Sequence, residues 1–160
     1  MTADSSVRPI LIAVAGSEPP AFWEAVRALL PAGPVELVHV IDEGPRQEIE
    51  MQFGRHPGLP RPPHLAEHTS AAEQRGSAAI LAEAAEALRA RGEGAATTTA
   101  TGRPELEIER RATEIGAGLV VVAARTRSGE VPPGPHSVGH VARHVSDHAP
   151  CPVLMVRLRA

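Results

Sequence analysis

Residues 119–123 read LVVVA, a short and continuous apolar run that directly follows Gly118. Such a run is typical of a strand that is buried on both faces, as in a parallel sheet covered by helices on both sides. On its amino-terminal side, Pro104 and Glu105 open a segment with proline at the first helical position and acids in the first turn. We therefore expect a helix followed by a buried strand, which is the repeating unit of a parallel α/β sheet.

The same alternation extends through the rest of the chain. Apolar or β-branched runs predict four further strands, at residues 9–14, 35–41, 95–100 and 152–156. Apolar residues at helical spacing predict three further helices, around residues 22–30, 65–91 and 138–145. We expect Ser17 or Glu18 to cap the first of these helices and Gly92 to end the second. The pattern predicts one three-layer α/β/α domain over residues 1–160, with a mostly parallel sheet and right-handed crossovers.

Two segments fall outside this alternation. Residues 42–64 are rich in proline and glycine and predict an irregular excursion, in which residues 44–63 should be cut first by limited proteolysis. Residues 125–137 predict a second loop, which contains prolines at positions 132, 133 and 135. Because proline has no N–H, this loop offers fewer backbone donors to a phosphate than a glycine-rich loop would.

The composition restricts the classes of function. The chain has one cysteine and no apolar run long enough to cross a membrane, so we expect a cytoplasmic protein that does not contact membranes. It contains no lysine, which excludes a P-loop lysine and Schiff-base catalysis. A net charge of -3 and an aromatic content of 2% also argue against nucleic acid as a partner.

Four segments together resemble the universal stress protein family. They are ILIAVAGSE at residues 10–18, LVHVID at 37–42, GAGLVVVAARTRSG at 116–129 and HVSDHAPCPVLMVR at 144–157. The segments occur in the order expected for the family and span nearly the whole chain. The resemblance implies a five-stranded parallel sheet of order 3-2-1-4-5, and a homodimer that pairs the two copies of the last strand.

Family members that bind ATP carry an Asp at the end of the first strand. They also carry a Gly-x-x-Gly pattern, nine further residues, and a closing Gly-Ser or Gly-Thr. The resemblance places Ala15 at the Asp, Ala123 and Thr126 at the leading glycines, and Gly139 with His140 at the closing pair. With this placement twelve residues, 127–138, separate Thr126 from Gly139, whereas the family pattern has nine. If Gly129 is taken as the second leading glycine, the spacing of nine residues is restored. Thr126 then occupies the position of the first leading glycine.

The resemblance therefore implies a vestigial pocket for a nucleotide or an anion. Its lining would be Val14, Ala15, Val40, Ala123, Arg125, Thr126, Arg127, Gly139, His140 and Val141. The two arginines could still attract an anion, and the amino terminus of the last helix adds its dipole. We expect no ATP binding at useful concentrations, and therefore no cofactor.

Several other residues invite a functional interpretation. Histidines at positions 136, 140, 144 and 148 recur every four residues, a spacing that allows a transition-metal site but that a solvated helix face explains more simply. We expect His39 to be a buried, hydrogen-bonded residue of the second strand. We expect Cys151 to pack rather than react, and Phe22 and Trp23 to belong to the core.

No group of residues in the sequence forms a catalytic constellation. We therefore expect a stress-response protein that acts by binding or by contact with a protein partner of unknown identity. The alternative is an ATP-binding family member with altered pocket side chains and at most slow hydrolysis. A third hypothesis is a small α/β enzyme with its active site at the strand ends, near the excursion that begins at Asp42.

Overall fold

The computed structural model describes residues 7–44, 63–89, 92, 94–124 and 138–157, with only the backbone described for residues 63–69. Residues 45–62 and 125–137 lie outside this set. The predicted excursion, its expected sensitivity to proteases and the predicted second loop therefore fall almost entirely outside the described residues. The same is true of Arg125, Thr126, Arg127 and His136.

The described residues form alternating strands and helices in the predicted order. The strands are β1 (Ile10–Ala13), β2 (Val35–Asp42), β3 (Ala95–Gly102), β4 (Leu119–Ala124) and β5 (Val153–Arg157). The helices are α1 (Pro20–Leu29), α2 (Pro63–Arg89), α3 (Pro104–Glu114) and α4 (His140–His148). None of these helices is long and apolar enough to cross a membrane.

The strands form one five-stranded sheet of order β3-β2-β1-β4-β5, in which every pair of neighbours is parallel. This confirms the predicted fold class and strand order. β1 lies at the centre because its run of apolar residues suits burial on both faces, and Leu11 and Ile12 are completely buried. β3 and β5 are the two outer strands of the sheet.

Side chains from the two faces of the sheet enter two separate apolar clusters. On one face Ile12 and Leu37 pack with α1 and α2, and Phe22 of α1 is completely buried there. On the other face Leu11 and Val38 pack with α3 and α4. Each fully buried side chain of this size contributes about 1.5–3 kcal/mol to folding, so both layers of helices are firmly attached. The rings of Phe22 and Trp23 meet edge to face, with centroids 5.0 Å apart, which confirms their place in the core.

Several predicted boundaries differ from those in the structure. Asp42 still pairs with Gly102 as the last residue of β2, so the excursion begins after it. α2 begins at Pro63 because proline is tolerated in the first turn of a helix. The prediction that Ser17 or Glu18 caps α1 is wrong, since Pro19 stands at the cap position without a side-chain bond. Gly92 adopts the left-handed conformation (φ 82°) and donates to Arg89 O at 2.9 Å, which confirms its role after α2.

Candidate functional site at the carboxyl ends of the strands

The candidate site lies where the sheet reverses its connections. The chain leaves β1 towards β2 on one side, while β4 lies on the other side of β1. In open α/β sheets the crevice outside the carboxyl ends of the strands at such a point is the usual ligand site. The first residues beyond β1 are Val14, Ala15 and Gly16, so they border this crevice.

The register places four of the predicted pocket residues at this end of the sheet. Ala13 pairs with Val38, so Ala15 is level with Val40. Ile12 pairs with Val121, so Val14 is level with Ala123. Val14 is buried and donates to Val38 O at 2.9 Å, which extends the β1 ladder, whereas Ala15 is exposed.

The remaining described pocket residues lie at the start of α4. Gly139 has φ 94° and precedes the helix, a conformation that favours glycine. His140 is the first helical residue, and its side chain is 72% exposed. Val141 is half-buried and packs against the cluster under α3 and α4, so its side chain belongs to the core on that side.

The backbone amides that follow β1 are bound by a carboxylate of the same chain. Ala15 N donates to Glu18 Oε1 at 2.6 Å, and Gly16 N donates to Glu18 Oε2 at 2.9 Å. Gly16 has φ 84°, and a Cβ at this position would lie 2.7 Å from Cδ1 of Ile80. Glycine is therefore required here both by the backbone and by the approach of α2. Sequence reasoning missed this arrangement because it assigned Glu18 to the helix cap.

A buried polar chain connects the same face of the sheet to α2. His39 Nδ1 is 2.9 Å from Ser77 Oγ, and Ser77 Oγ is 2.8 Å from Thr99 Oγ1. Burial lowers the pKa of His39, and the nearby carboxylate of Glu18 only partly opposes this. Ser77 is 1% exposed, so no substrate could reach its hydroxyl as a nucleophile. The contacts confirm that His39 is hydrogen-bonded, although it is half-buried rather than buried as predicted. They also indicate that this set of hydrogen bonds attaches α2 to β2 and β3.

Two histidines of α4 bind two glutamates of α3. His140 Nε2 is 3.2 Å from Glu105 Oε1, and His144 Nε2 is 3.1 Å from Glu109 Oε2. The His144 and His148 rings stack with centroids 4.2 Å apart. Thus the four-residue spacing of the histidines matches the four-residue spacing of the glutamates. Within the described residues no group of three or more His, Cys, Asp or Glu side chains could hold a metal ion.

Glu105 holds His140 at the rim of the crevice. The Glu105 residue is 3% exposed, and Arg103 binds the same carboxylate oxygen as His140. Burial alone would raise the pKa of this carboxyl, but a backbone N–H, His140 and Arg103 together outweigh it, so the pKa is lowered. Because Glu105 stays ionised, it remains a strong acceptor for His140.

A second buried carboxylate, that of Glu36, lies away from the crevice. Glu36 accepts from Arg111 Nε at 2.6 Å, from Arg111 Nη2 at 3.1 Å and from Thr98 Oγ1 at 2.8 Å. Burial would raise the pKa of Glu36, but these hydrogen bonds outweigh it and lower the pKa. Glu36 pairs in register with Leu11, near the amino end of the sheet, so this group attaches α3 to the sheet rather than serving the crevice.

The sequence model of the universal stress protein family matches residues 6–157 of the chain. The chain belongs to the universal stress protein family. No curated protein matches it. The family assignment agrees with the strand order and with the crevice beside β1, and it implies a role in the stress response.

Solved structures of other family members share the fold. A universal stress protein family protein from Burkholderia pseudomallei is 24% identical with a TM-score of 0.60, covering 96% of this chain and 98% of that chain. UspA from Lactobacillus plantarum is 23% identical with a TM-score of 0.58, covering 96% and 100%. An Arabidopsis thaliana family protein with AMP bound is 15% identical with a TM-score of 0.62, covering 96% and 93%. At these identities the likeness concerns the fold alone.

Proposed function

We propose that this universal stress protein acts by binding, as a homodimer that contacts a protein partner, and without ATP as a cofactor. The observation that carries the proposal is at the end of β1. There Ala15 exposes a methyl group at the position where the family resemblance puts the Asp of ATP-binding members. A methyl group offers a nucleoside no polar contact, and such a contact to a charged group is worth about 1.5–3 kcal/mol.

The start of α4 supports the same proposal. His140 stands where ATP-binding members have a compact hydroxyl, and its ring binds the buried Glu105. The hydroxyl that ATP-binding members place here is therefore missing, and the His140 ring that stands in its place is already bound to Glu105. Losing the polar contacts at Ala15 and at this position should together weaken ATP binding by orders of magnitude.

The outer edge of β5 supports the homodimer. Pro152 O accepts from Val120 N at 3.0 Å, so the backbone of Pro152 faces β4. Because successive residues of a strand direct their backbone groups to opposite edges, Val153 and Met155 direct theirs to the outer edge. Within the described residues β5 pairs only with β4, and residues 153–155 are only half-buried. An apolar edge of this kind favours pairing with a second copy across a two-fold axis.

A reducing compartment is consistent with the state of the cysteine. Cys151 is a free, half-buried thiol that packs against the cluster beneath α3 and α4. Burial raises its pKa, and Arg8 only partly opposes this. A protonated thiol is a poor nucleophile, so Cys151 has a packing role, and we place the protein in the cytoplasm.

ATP binding with altered side chains is the second candidate. The AMP-bound relative from Arabidopsis thaliana shows that this fold accommodates a nucleotide in another family member. Gly139 also keeps a glycine conformation directly before α4, where a helix amino terminus can receive phosphate. These two observations make nucleotide binding the alternative to test.

Thermal unfolding with and without magnesium-ATP tests the proposal. A ligand that binds only the folded state adds about 2.7 kcal/mol at 100 times its dissociation constant, which is readily seen as a higher Tm. We expect no rise for this chain at millimolar ATP, alongside a clear rise for a relative that carries the complete motif. A rise for this chain that Arg125→Ala abolishes would establish the second candidate instead.

A further inference from the structure

We propose that a cavity at the amino ends of the strands binds a small carboxylate with an apolar body, and that Arg8 supplies the positive charge. The cavity has a volume of about 460 Å³ and is bordered by the residues before β1, by the end of α3 and by the residues before β4 and β5. Because all neighbouring strands are parallel, this end of the sheet is opposite to the crevice beside Ala15. The inference therefore concerns a second site and does not depend on the proposed function.

The walls of the cavity are mostly apolar and are held in place by the backbone. Ala112 is completely buried, and Ala117 is 3% exposed. Gly118 N donates to Pro9 O at 2.9 Å and Ala117 N donates to Ala112 O at 2.9 Å, so the connection between α3 and β4 is attached at both ends. The other lining residues besides Arg8 are Val7, Thr113, Ile115, Gly116 and Pro150. The volume and the apolar walls are those of a typical small-molecule site.

Of the described residues that line the cavity, Arg8 alone is charged. Its stem lies across Gly118, where a Cβ would be 2.7 Å from the Cβ of Arg8 and 3.5 Å from its Cδ. The positive charge of Arg8 also acts on the thiol of Cys151, where it opposes the rise in pKa that burial causes. Arg8 is exposed, and no ion pair between described residues includes it. It can therefore bind an anion at the mouth of the cavity.

The end of α3 opposes an anion only weakly. The carboxyl end of a helix carries about half a negative charge, which comes from carbonyl groups without a partner. Here Ala112 O accepts from Ala117 N at 2.9 Å, and Thr113 O accepts from Gly116 N at 3.2 Å. These carbonyls are already hydrogen-bonded, so the full positive charge of Arg8 exceeds the partial negative charge of the helix end.

The chemistry of the lining residues selects the ligand. The planar guanidinium of arginine can hold a carboxylate through two parallel hydrogen bonds. The Thr113 hydroxyl donates to Glu109 O at 3.1 Å, so it is not available to donate to a ligand. One cation beside apolar walls favours a ligand with one negative charge and an apolar body, whereas a phosphate dianion needs more donors. We therefore assign the cavity to small monocarboxylates with an aliphatic or aromatic body.

The test compares the full-length wild type with Arg8→Gln and Arg89→Gln. Arg89 is the last residue of α2 and its side chain is 72% exposed, so its replacement changes the net charge equally and away from the cavity. Amide ¹⁵N–¹H spectra are recorded during titration with hexanoate. For the wild type and Arg89→Gln we expect shifts of the amides of residues 116–118, with a Kd in the millimolar range. Arg8→Gln should bind hexanoate at least about tenfold more weakly.

Further probes separate the two parts of the ligand. Acetate lacks the apolar chain and 1-hexanol lacks the charge, so each should bind the wild type at least about tenfold more weakly than hexanoate. Arg8→Glu should instead bind hexylamine more tightly than hexanoate, because the walls remain and only the charge is reversed. The inference is overturned if hexanoate does not shift the amides of residues 116–118, or if Arg8→Gln binds it as tightly as Arg89→Gln. Tighter binding of inorganic phosphate than of hexanoate would also overturn it.

Discussion

Replacing Arg111 by methionine should destabilise the protein far more than the same change at its neighbour Arg110. Arg111 is the charged partner of Glu36, which it holds through two hydrogen bonds of 2.6 and 3.1 Å. The Glu36 side chain is 11% exposed, whereas that of Arg110 is 53% exposed and pairs with Glu107 and Glu114 at the surface. Arg110→Met therefore removes only solvent-exposed pairs, which contribute little.

The magnitude follows from what is left behind. Arg111→Met leaves the Glu36 carboxylate with one neutral donor, Thr98 Oγ1 at 2.8 Å. Breaking a buried ion pair by removing one partner costs about 3–5 kcal/mol. Arg111 is 28% exposed, so water can partly replace it and the lower end of this range applies. A loss of about 3 kcal/mol in a chain of this size lowers Tm by roughly 6–12 °C.

Removing the carboxylate should be less costly than removing the guanidinium. In Glu36→Gln the partly exposed Arg111 keeps a second carboxylate, since its Nη1 is 3.1 Å from Glu114 Oε2. The double variant Glu36→Gln/Arg111→Met should be more stable than Arg111→Met alone, because it no longer buries an unpaired charge. The free energy of unfolding in urea is measured for the wild type, the two single variants, the double variant and Arg110→Met, and the values are compared only if the m-values are similar. Additive effects, or Arg111→Met as stable as Arg110→Met, would refute this reasoning.

Three further outcomes are expected. Burial lowers the pKa of His39 below its ordinary 6.5, so near and below that pH the folded chain binds fewer protons than the unfolded chain. The free energy of unfolding, measured in urea, should therefore fall as the pH drops below about 6.5. His39→Gln should remove this pH dependence. Met155→Pro, which removes an N–H from the outer edge of β5, should yield a monomer in sedimentation, whereas Met155→Leu should stay dimeric; a monomeric wild type would contradict the pairing. Cys151 should react with a disulfide reagent at neutral pH more slowly than a free cysteine, and a rate equal to that of free cysteine would mean that its thiol is not shielded.

The strands and their burial could be predicted because the strands carry their own signal, whereas the order 3-2-1-4-5 was implied by the family resemblance. LVVVA at residues 119–123 and the run around Leu11 are apolar on both faces, and only burial between two helical layers satisfies such a pattern. The helix ends were less predictable, since Pro19 and not Ser17 or Glu18 stands at the cap of α1. The prediction of a helix cap depends on one side chain. The carboxylate of Glu18 binds the backbone amides of Ala15 and Gly16 instead of capping α1.

The polar contacts could not be predicted because their partners are distant in sequence. Glu36 and Arg111 are separated by 75 positions, and His39 and Ser77 by 38. Local spacing predicted that His39 is hydrogen-bonded, but not to which residue. The histidine stripe shows the same limit, since its spacing was visible in the sequence while the matching glutamates of α3 were recognisable only once α3 and α4 lay side by side.

Three polar groups around the crevice already make contacts with other residues of the folded chain. Glu18 binds the amides after β1, His39 binds Ser77, and His140 binds Glu105. A ligand that uses these groups must first break contacts that the folded protein already makes, so only the difference between the two sets of contacts contributes to affinity. Restoring an Asp at position 15 would supply one missing contact but would leave Glu18 on its amides and add a second negative charge beside it. Ala15→Asp alone should therefore fail to recover ATP binding, and recovery should require the loss of the Glu18 carboxylate as well.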